Sequence, residues 1–191
     1  MNPNQPVILP CRDLSPSIHP TCWLAPNATV VGEVFIGENA SCWFNCVIRG
    51  DVAPITIGPR VNIQDGAVIH GTFNKSETKI DEGASIGHNA TVHGAHVQAG
   101  ALIGMNAVVL DGAVIGAHAV IAAGAVVLEG TVVPPRTLWA GVPAKQRGEV
   151  RPELQEHLAV TADRYVEYAG WFNRRIPVSY THLTLPTTVI V

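Results

Sequence analysis

The chain has 191 residues, only 14% of them charged, and a formal net charge of -3, where an average globular protein is about 25% charged. That balance excludes the basic footprint of a nucleic-acid binder, and no apolar run approaches the roughly 18 residues that span a membrane. Aromatic residues make up 6%, so the core has to be built from Val, Ile, Ala and Leu.

The N-terminal stretch "MNPNQPVILPCRD" lacks the basic region and long apolar segment of a signal peptide. Cys11, Cys22, Cys42 and Cys46 form neither a C-x-x-C pair nor a disulfide framework, so a reduced, cytoplasmic protein is expected. Residues 1–27 read as an N-terminal extension or cap.

Residues 28–135 follow a repeat of six. Aliphatic leaders recur as Val30, Ile36, Cys42 and Ile48, then Ile57, Ile63 and Ile69, then Ile80, Ile86 and Val92, and finally Val97 through Val133. A small residue often stands four positions later, as at Ala40, Cys46, Ala67, Ala84 and Ala90. This is the hexapeptide pattern of a parallel β-helix, in which three hexads make one triangular coil and the leaders stack inward. Glycine at this density would weaken a helix, and the period is not 3.6. Cys42 and Cys46 occupy inward slots and are expected to pack as small hydrophobes. The count breaks three times: three extra residues before Ile57, five before Ile80 in "GTFNKSETK", and one missing before Val97. Such insertions emerge as loops, often on the binding side, and two of the breaks flank His70 and His93.

Beyond the repeat, 136–150 reads as a Pro/Gly-rich exit loop. Residues 151–175 read as an amphipathic helix with Leu154, Leu158, Tyr165, Ala169 and Phe172 at helical spacing and Pro152 in its first turn. The last stretch, 176–191, matches neither unit and reads as foreign to the domain or disordered.

Counting leaders in threes places Ile48, Ile69 and Val92 on one face in successive coils, so Arg49, His70 and His93 share the outward slot that follows each. Rungs lie about 4.8 Å apart, so His70 and His93 are expected as stacked neighbours able to reach one metal at the roughly 2.0–2.1 Å Zn–N distance. His88 follows Ile86 by two, at a different corner and above Asp65, with Gln64 beside it. Five extended residues, about 16 Å, separate it from His93. A third ligand from His88 therefore needs a second subunit, and a cyclic homotrimer with His88 donated across each interface fits. The competing reading, solvated surface imidazoles, is kept for His96 and His118. His19, His157 and His182 lie outside the repeat.

Three blocks, "VIRGDV" (47–52), "NIQDGAVIH" (62–70) and "IGHNATVHG" (86–94), resemble the γ-class carbonic anhydrases and their bacterial YrdA/PaaY-like relatives. The resemblance implies a left-handed trimeric β-helix with metal held at subunit interfaces by His70, His88 and His93. It further implies an interface ion pair at Arg49 and Asp51 with Asp65 across the interface. Gln64 takes the place of the residue that orients metal-bound water, and Asn62 that of a polar neighbour. Tyr165, from the C-terminal helix, is a further candidate that approaches the site from outside. Three neutral imidazoles leave an open position on Zn²⁺, or on Fe²⁺, which imidazole also suits. Water there is acidified to a pKa of about 7 and can add to CO₂ to give bicarbonate. The pattern departs from the most active members at Val52, where they carry Glu, and in a short loop whose Glu77 has no clear counterpart. Slow CO₂ hydration is the expected consequence. Competing functions are a metal-dependent thioesterase or other hydrolase, a hexapeptide acyltransferase, and a non-catalytic trimer that keeps metal for assembly.

Overall fold

A computed structural model describes residues 5–172. The hexads wind into a left-handed parallel β-helix with three faces. On the first face, part of the long strand Val47–Ile57 is followed by Val68–His70, Thr91–His93, Val108–Val109 and Val126–Val127, all parallel. Val47–Ile57 turns a corner and also begins the pairing with Thr78–Ile80, His96–Val97 and Val114–Ile115 on the second face. The third face stacks Ser41–Cys42, Asn62–Ile63, Ser85–Ile86, Leu102–Ile103 and Val120–Ile121.

The leaders produce this architecture by stacking in register. Ile48 pairs with Ile69, Ile69 with Val92 and Val92 with Val109, and all four are fully buried. Burying each such side chain contributes about 1.5–3 kcal/mol. Corners recur at the third residue after a leader, which takes a left-handed φ: 59° at Asn45, 70° at Gly66 and 56° at Asn89. Gly and Asn tolerate that conformation best. The next residue is the small one, and Cys46, Ala67 and Ala90 are fully buried against the leaders. Cys42 and Cys46 are core residues, as expected.

At the N-terminal end the structure differs from the expected cap. Val7–Leu9 runs parallel to Thr29–Val31, Ser17–Ile18 lies beside Phe35–Ile36, and Trp23–Leu24 beside Ser41–Cys42. Residues 7–24 therefore build the first coil. The ten-position step from Ile8 to Ile18 hides it from a six-residue count.

At the other end, the exit expected as a loop holds two strands. Thr137–Ala140 continues the third face and Lys145–Glu149 pairs with it antiparallel. The helix expected over 151–175 is two helices, α1 (Pro152–Ala159) and α2 (Thr161–Phe172). At the break, the Thr161 hydroxyl donates to the His157 carbonyl at 2.9 Å. Buried Ala162 and Ala169 seat α2 on the solenoid. Arg60 ties it down by donating to Asp163 (2.9 Å) and to Glu82 (2.8 Å), and the Trp43 ring meets Tyr165 edge-on at 5.4 Å. Residues 173–175 of the expected helix, and the expectation for 176–191, lie outside the described residues.

Gly50 sits between Arg49 and Asp51, in register with Gly32 on the adjacent strand. A Cβ on Gly50 would overlap the Glu33 carbonyl, and one on Gly32 would overlap the Gly50 carbonyl. Gly50→Ala is therefore expected to destabilise the fold by about 1–3 kcal/mol through overpacking, measured as a lower urea midpoint.

Candidate metal centre

The strand register places His93 directly beside His70. Their ring centroids are 5.1 Å apart, and Nδ1 of His70 faces Nε2 of His93 at 3.1 Å. The other nitrogen of each ring meets a carboxylate: His70 Nε2 is 3.0 Å from Asp51 Oδ1, and His93 Nδ1 is 3.2 Å from Asp111 Oδ2. An ionised carboxylate only accepts hydrogen bonds, so the proton of each ring belongs on the carboxylate side. The two nitrogens that face each other are then both lone pairs. Lone pairs at this separation repel unless a proton or a cation lies between them. Two nitrogens on one tetrahedral ion at 2.0–2.1 Å stand about 3.3 Å apart, close to what the pair already shows. The pair therefore fits a divalent cation, with a carboxylate behind each imidazole as is usual for metal-ligating histidines.

Asp51 joins His70 to Arg49, whose Nη1 donates to Asp51 Oδ2 at 2.5 Å. Burial acts to raise the Asp51 pKa, but the hydrogen bonds from His70 and Arg49, with the Arg49 charge, outweigh it and hold the carboxyl below its ordinary value. Asp111 follows the same pattern more strongly. Burial opposes ionisation, yet the hydroxyls of Ser76 and Thr72 and the neighbouring His93 bring it down to about 2. Both groups are carboxylates at neutral pH, as the lone-pair assignment requires.

His88 lies at another corner. Its Nδ1 meets Asp65 Oδ2 at 2.8 Å, and both side chains are about two-fifths exposed, 42% and 41%. Behind them Gln64 and Asn62 are buried: Gln64 Nε2 donates to Asn62 Oδ1 at 2.9 Å, and Asn62 Nδ2 donates to the Ser85 hydroxyl at 2.8 Å. A cleft of about 460 Å³ opens here, lined by His88, Gln64, Tyr165 and apolar residues including Leu102, Met105 and Leu158. Burial, then the Asp65 charge, pushes the Tyr165 phenol above its ordinary pKa.

One chain thus carries two separate groups. Arg49, Asp51, His70 and His93 come together on the first face, and Asn62, Gln64, Asp65, His88 and Tyr165 at the other corner. Among the described residues of one chain, no three His, Cys, Asp or Glu side chains are assembled to hold a metal ion. Within the chain Arg49 is engaged by Asp51 and Asp65 by His88. His96 belongs to neither group: its Nε2 meets Asp81 at 2.7 Å on the second face. His118 takes a corner with φ 57°.

Asp111 is the site residue that sequence reading missed, together with the bond from Asp51 to His70. A signal for Asp111 was available, since it follows Val109, the leader one coil above Val92, by two residues. The hydroxyls of Thr72 and Ser76 that converge on it come from the inserted loop, where the hexad count gives no register.

Comparison with known proteins agrees with the hexapeptide-repeat fold. The family described as "Bacterial transferase hexapeptide (six repeats)" matches residues 94–129. A carbonic anhydrase of Geobacillus kaustophilus is 43% identical over 87% of this chain and 91% of its own. Gamma carbonic anhydrase 2, mitochondrial, of Arabidopsis thaliana is 36% identical over 82% of this chain and 58% of its own. The crystal structure of a hexapeptide transferase family protein from Anaplasma phagocytophilum superposes with a TM-score of 0.84 at 36% identity, covering 87% of this chain and 98% of that one.

The environment of Tyr165 has a direct readout. Ultraviolet titration of wild type against Tyr165→Phe is expected to assign Tyr165 the phenol that ionises above the ordinary tyrosine range, because burial disfavours phenolate.

Proposed function

The chain belongs to the γ-carbonic-anhydrase-like family of hexapeptide-repeat proteins, and from that premise we propose that it hydrates CO₂ reversibly to bicarbonate at metal sites shared between the subunits of a homotrimer. The observation that carries this reading is the 3.1 Å approach of His70 Nδ1 to His93 Nε2, each ring having its other nitrogen on a carboxylate, an arrangement that a divalent cation between the two would satisfy. His88 of a neighbouring subunit completes the set. Its Nδ1 is held by Asp65, which leaves Nε2 to coordinate. Support for a second copy on the first face comes from its outward valines, Val47, Val68, Val108 and Val126, all partly exposed beside the histidine pair.

Zn²⁺, or Fe²⁺ with the same imidazole donors, would be held by His70, His93 and His88 of a neighbouring subunit and would supply the Lewis acidity that makes a nucleophile available near neutral pH. The chain's own residues do the positioning. Gln64, fixed through Asn62 and Ser85, presents a buried amide beside His88 to orient water by hydrogen bonding. Arg49 spends one amino group on Asp51 and keeps its other donors for a planar oxyanion such as bicarbonate. Proton export is the weak point. Glu77, the one glutamate of the inserted loop, lines a cleft with Lys79 and His96 and makes none of the bonds that join Arg49, Asp51, His70, His93 and Asp111. That placement supports slow turnover.

The apolar cleft beside His88 and Tyr165 favours a second reading, a metal-dependent hydrolase of thioesters or esters whose acyl chain lies along it. The transferase wording of the matched family keeps acyl transfer in view. That chemistry needs a single base histidine, and the carboxylate-backed pair weighs against it. A non-catalytic trimer that holds metal for assembly is the remaining alternative. A cytoplasmic setting is supported by the four cysteines, all free thiols, and no described helix is long and apolar enough to cross a membrane.

Elemental analysis combined with light scattering tests the site. Wild type is expected to hold about one metal per chain in a trimer, and His88→Ala to lose the metal and CO₂ hydration while remaining trimeric. Metal with no CO₂ hydration but with thioester cleavage would favour the hydrolase, and metal with neither activity the assembly role. A metal-free protein that transfers acyl groups would overturn the reading.

A further inference from the structure

We infer that Asp111 is a positioning residue of the metal site, aiming His93 at His70 and fastening loop 71–77 beside it with the same carboxylate. The inference rests on the metal reading above and adds to it a residue from the coil beyond the ligands. Asp111 is 15% exposed, and its two oxygens do different work. Oδ2 takes His93 Nδ1 at 3.2 Å. Oδ1 accepts the Thr72 hydroxyl at 2.8 Å and the Ser76 hydroxyl as well.

An imidazole left to itself exchanges tautomers, and its χ2 torsion is broad. Only a ring whose Nδ1 proton is engaged presents Nε2 as a fixed lone pair, and among the described residues Asp111 is the carboxylate that engages it. For His70 the same service comes from Asp51, so each ligand imidazole has its own carboxylate.

The loop shares this anchor. It leaves the strand Val68–His70 and returns at Thr78, whose hydroxyl donates to the His70 carbonyl and accepts the Gly94 N–H at 3.0 Å. The inserted residues are thus tied to both histidine strands at their return point and to Asp111 at their middle. Removing the Asp111 carboxylate frees His93 to rotate and releases the loop together. Removing only the hydroxyls releases the loop and leaves His93 aimed.

That difference gives the test. Zinc affinity is measured by chelator competition on the full chain, for wild type, Asp111→Ala, Asp111→Asn and the double variant Thr72→Val/Ser76→Ala. Amide hydrogen exchange over 71–77 is followed in the same samples. Asp111→Ala is expected to weaken zinc binding by about 10- to 100-fold and to speed exchange in the loop. Asp111→Asn, which keeps an acceptor oxygen, is expected to fall between Asp111→Ala and wild type, and it carries the comparison if the alanine variant does not fold. The double variant is expected to speed loop exchange while keeping zinc affinity close to wild type. Asp111→Ala binding zinc as tightly as wild type would overturn the inference. So would a double variant that loses as much affinity as Asp111→Ala, because loosening of the loop would then explain the loss. Wild type taking up no zinc would instead overturn the metal reading, and the inference with it.

Discussion

Everything at this site depends on the fixed spacing between rungs of a parallel solenoid. Adjacent strands lie about 4.8 Å apart, and inward leaders hold them in register because a slip of one residue would turn every buried side chain outward. His70 and His93 are 23 positions apart in the chain, with an inserted loop between them. They are neighbours because Ile69 and Val92 stack in the core beneath them. The loop leaves and re-enters without disturbing that register, so insertion adds hydroxyls around the site at no cost to the ladder.

On this frame, charge decides what the histidines do. A bare pair of outward imidazoles would rotate and hydrate. Asp51 and Asp111, held ionised by their own hydrogen-bond donors, instead draw the ring protons outward and leave two lone pairs in opposition. Two such nitrogens at 3.1 Å need a proton or a cation between them, and the many leaders buried elsewhere hold them in that approach. His88 is organised by the same device, with Asp65 one rung below it, but on a corner that its own chain does not bring to the pair. On the proposed reading, closure into a ring of copies unites the two groups.

Much of this was legible in the sequence because a six-residue period converts position into place. The leaders gave the faces, the faces gave the His70–His93 contact and the separate corner of His88, and the Asp65–His88 stack followed from the same count. Where the period fails, legibility fails. The first coil was missed because the step from Ile8 to Ile18 is ten positions and not six. The hairpin from Thr137 to Glu149 was missed because Pro and Gly masked two strands. Asp111 was missed because its place two residues after Val109 marks it only as one more outward carboxylate. Its importance comes from Thr72 and Ser76, whose positions depend on how the loop folds back.

The central claim is that a metal is held by His70 and His93 of one chain and His88 of another. Subunit mixing tests it most directly. His88→Ala and His93→Ala chains, each unable to complete a site alone, are unfolded, mixed in equal amounts, refolded together and assayed for bound zinc. The account predicts that the mixture recovers about a quarter of the wild-type zinc, since that share of interfaces joins an intact pair to an intact His88. A mixture as empty of zinc as either variant alone would contradict it.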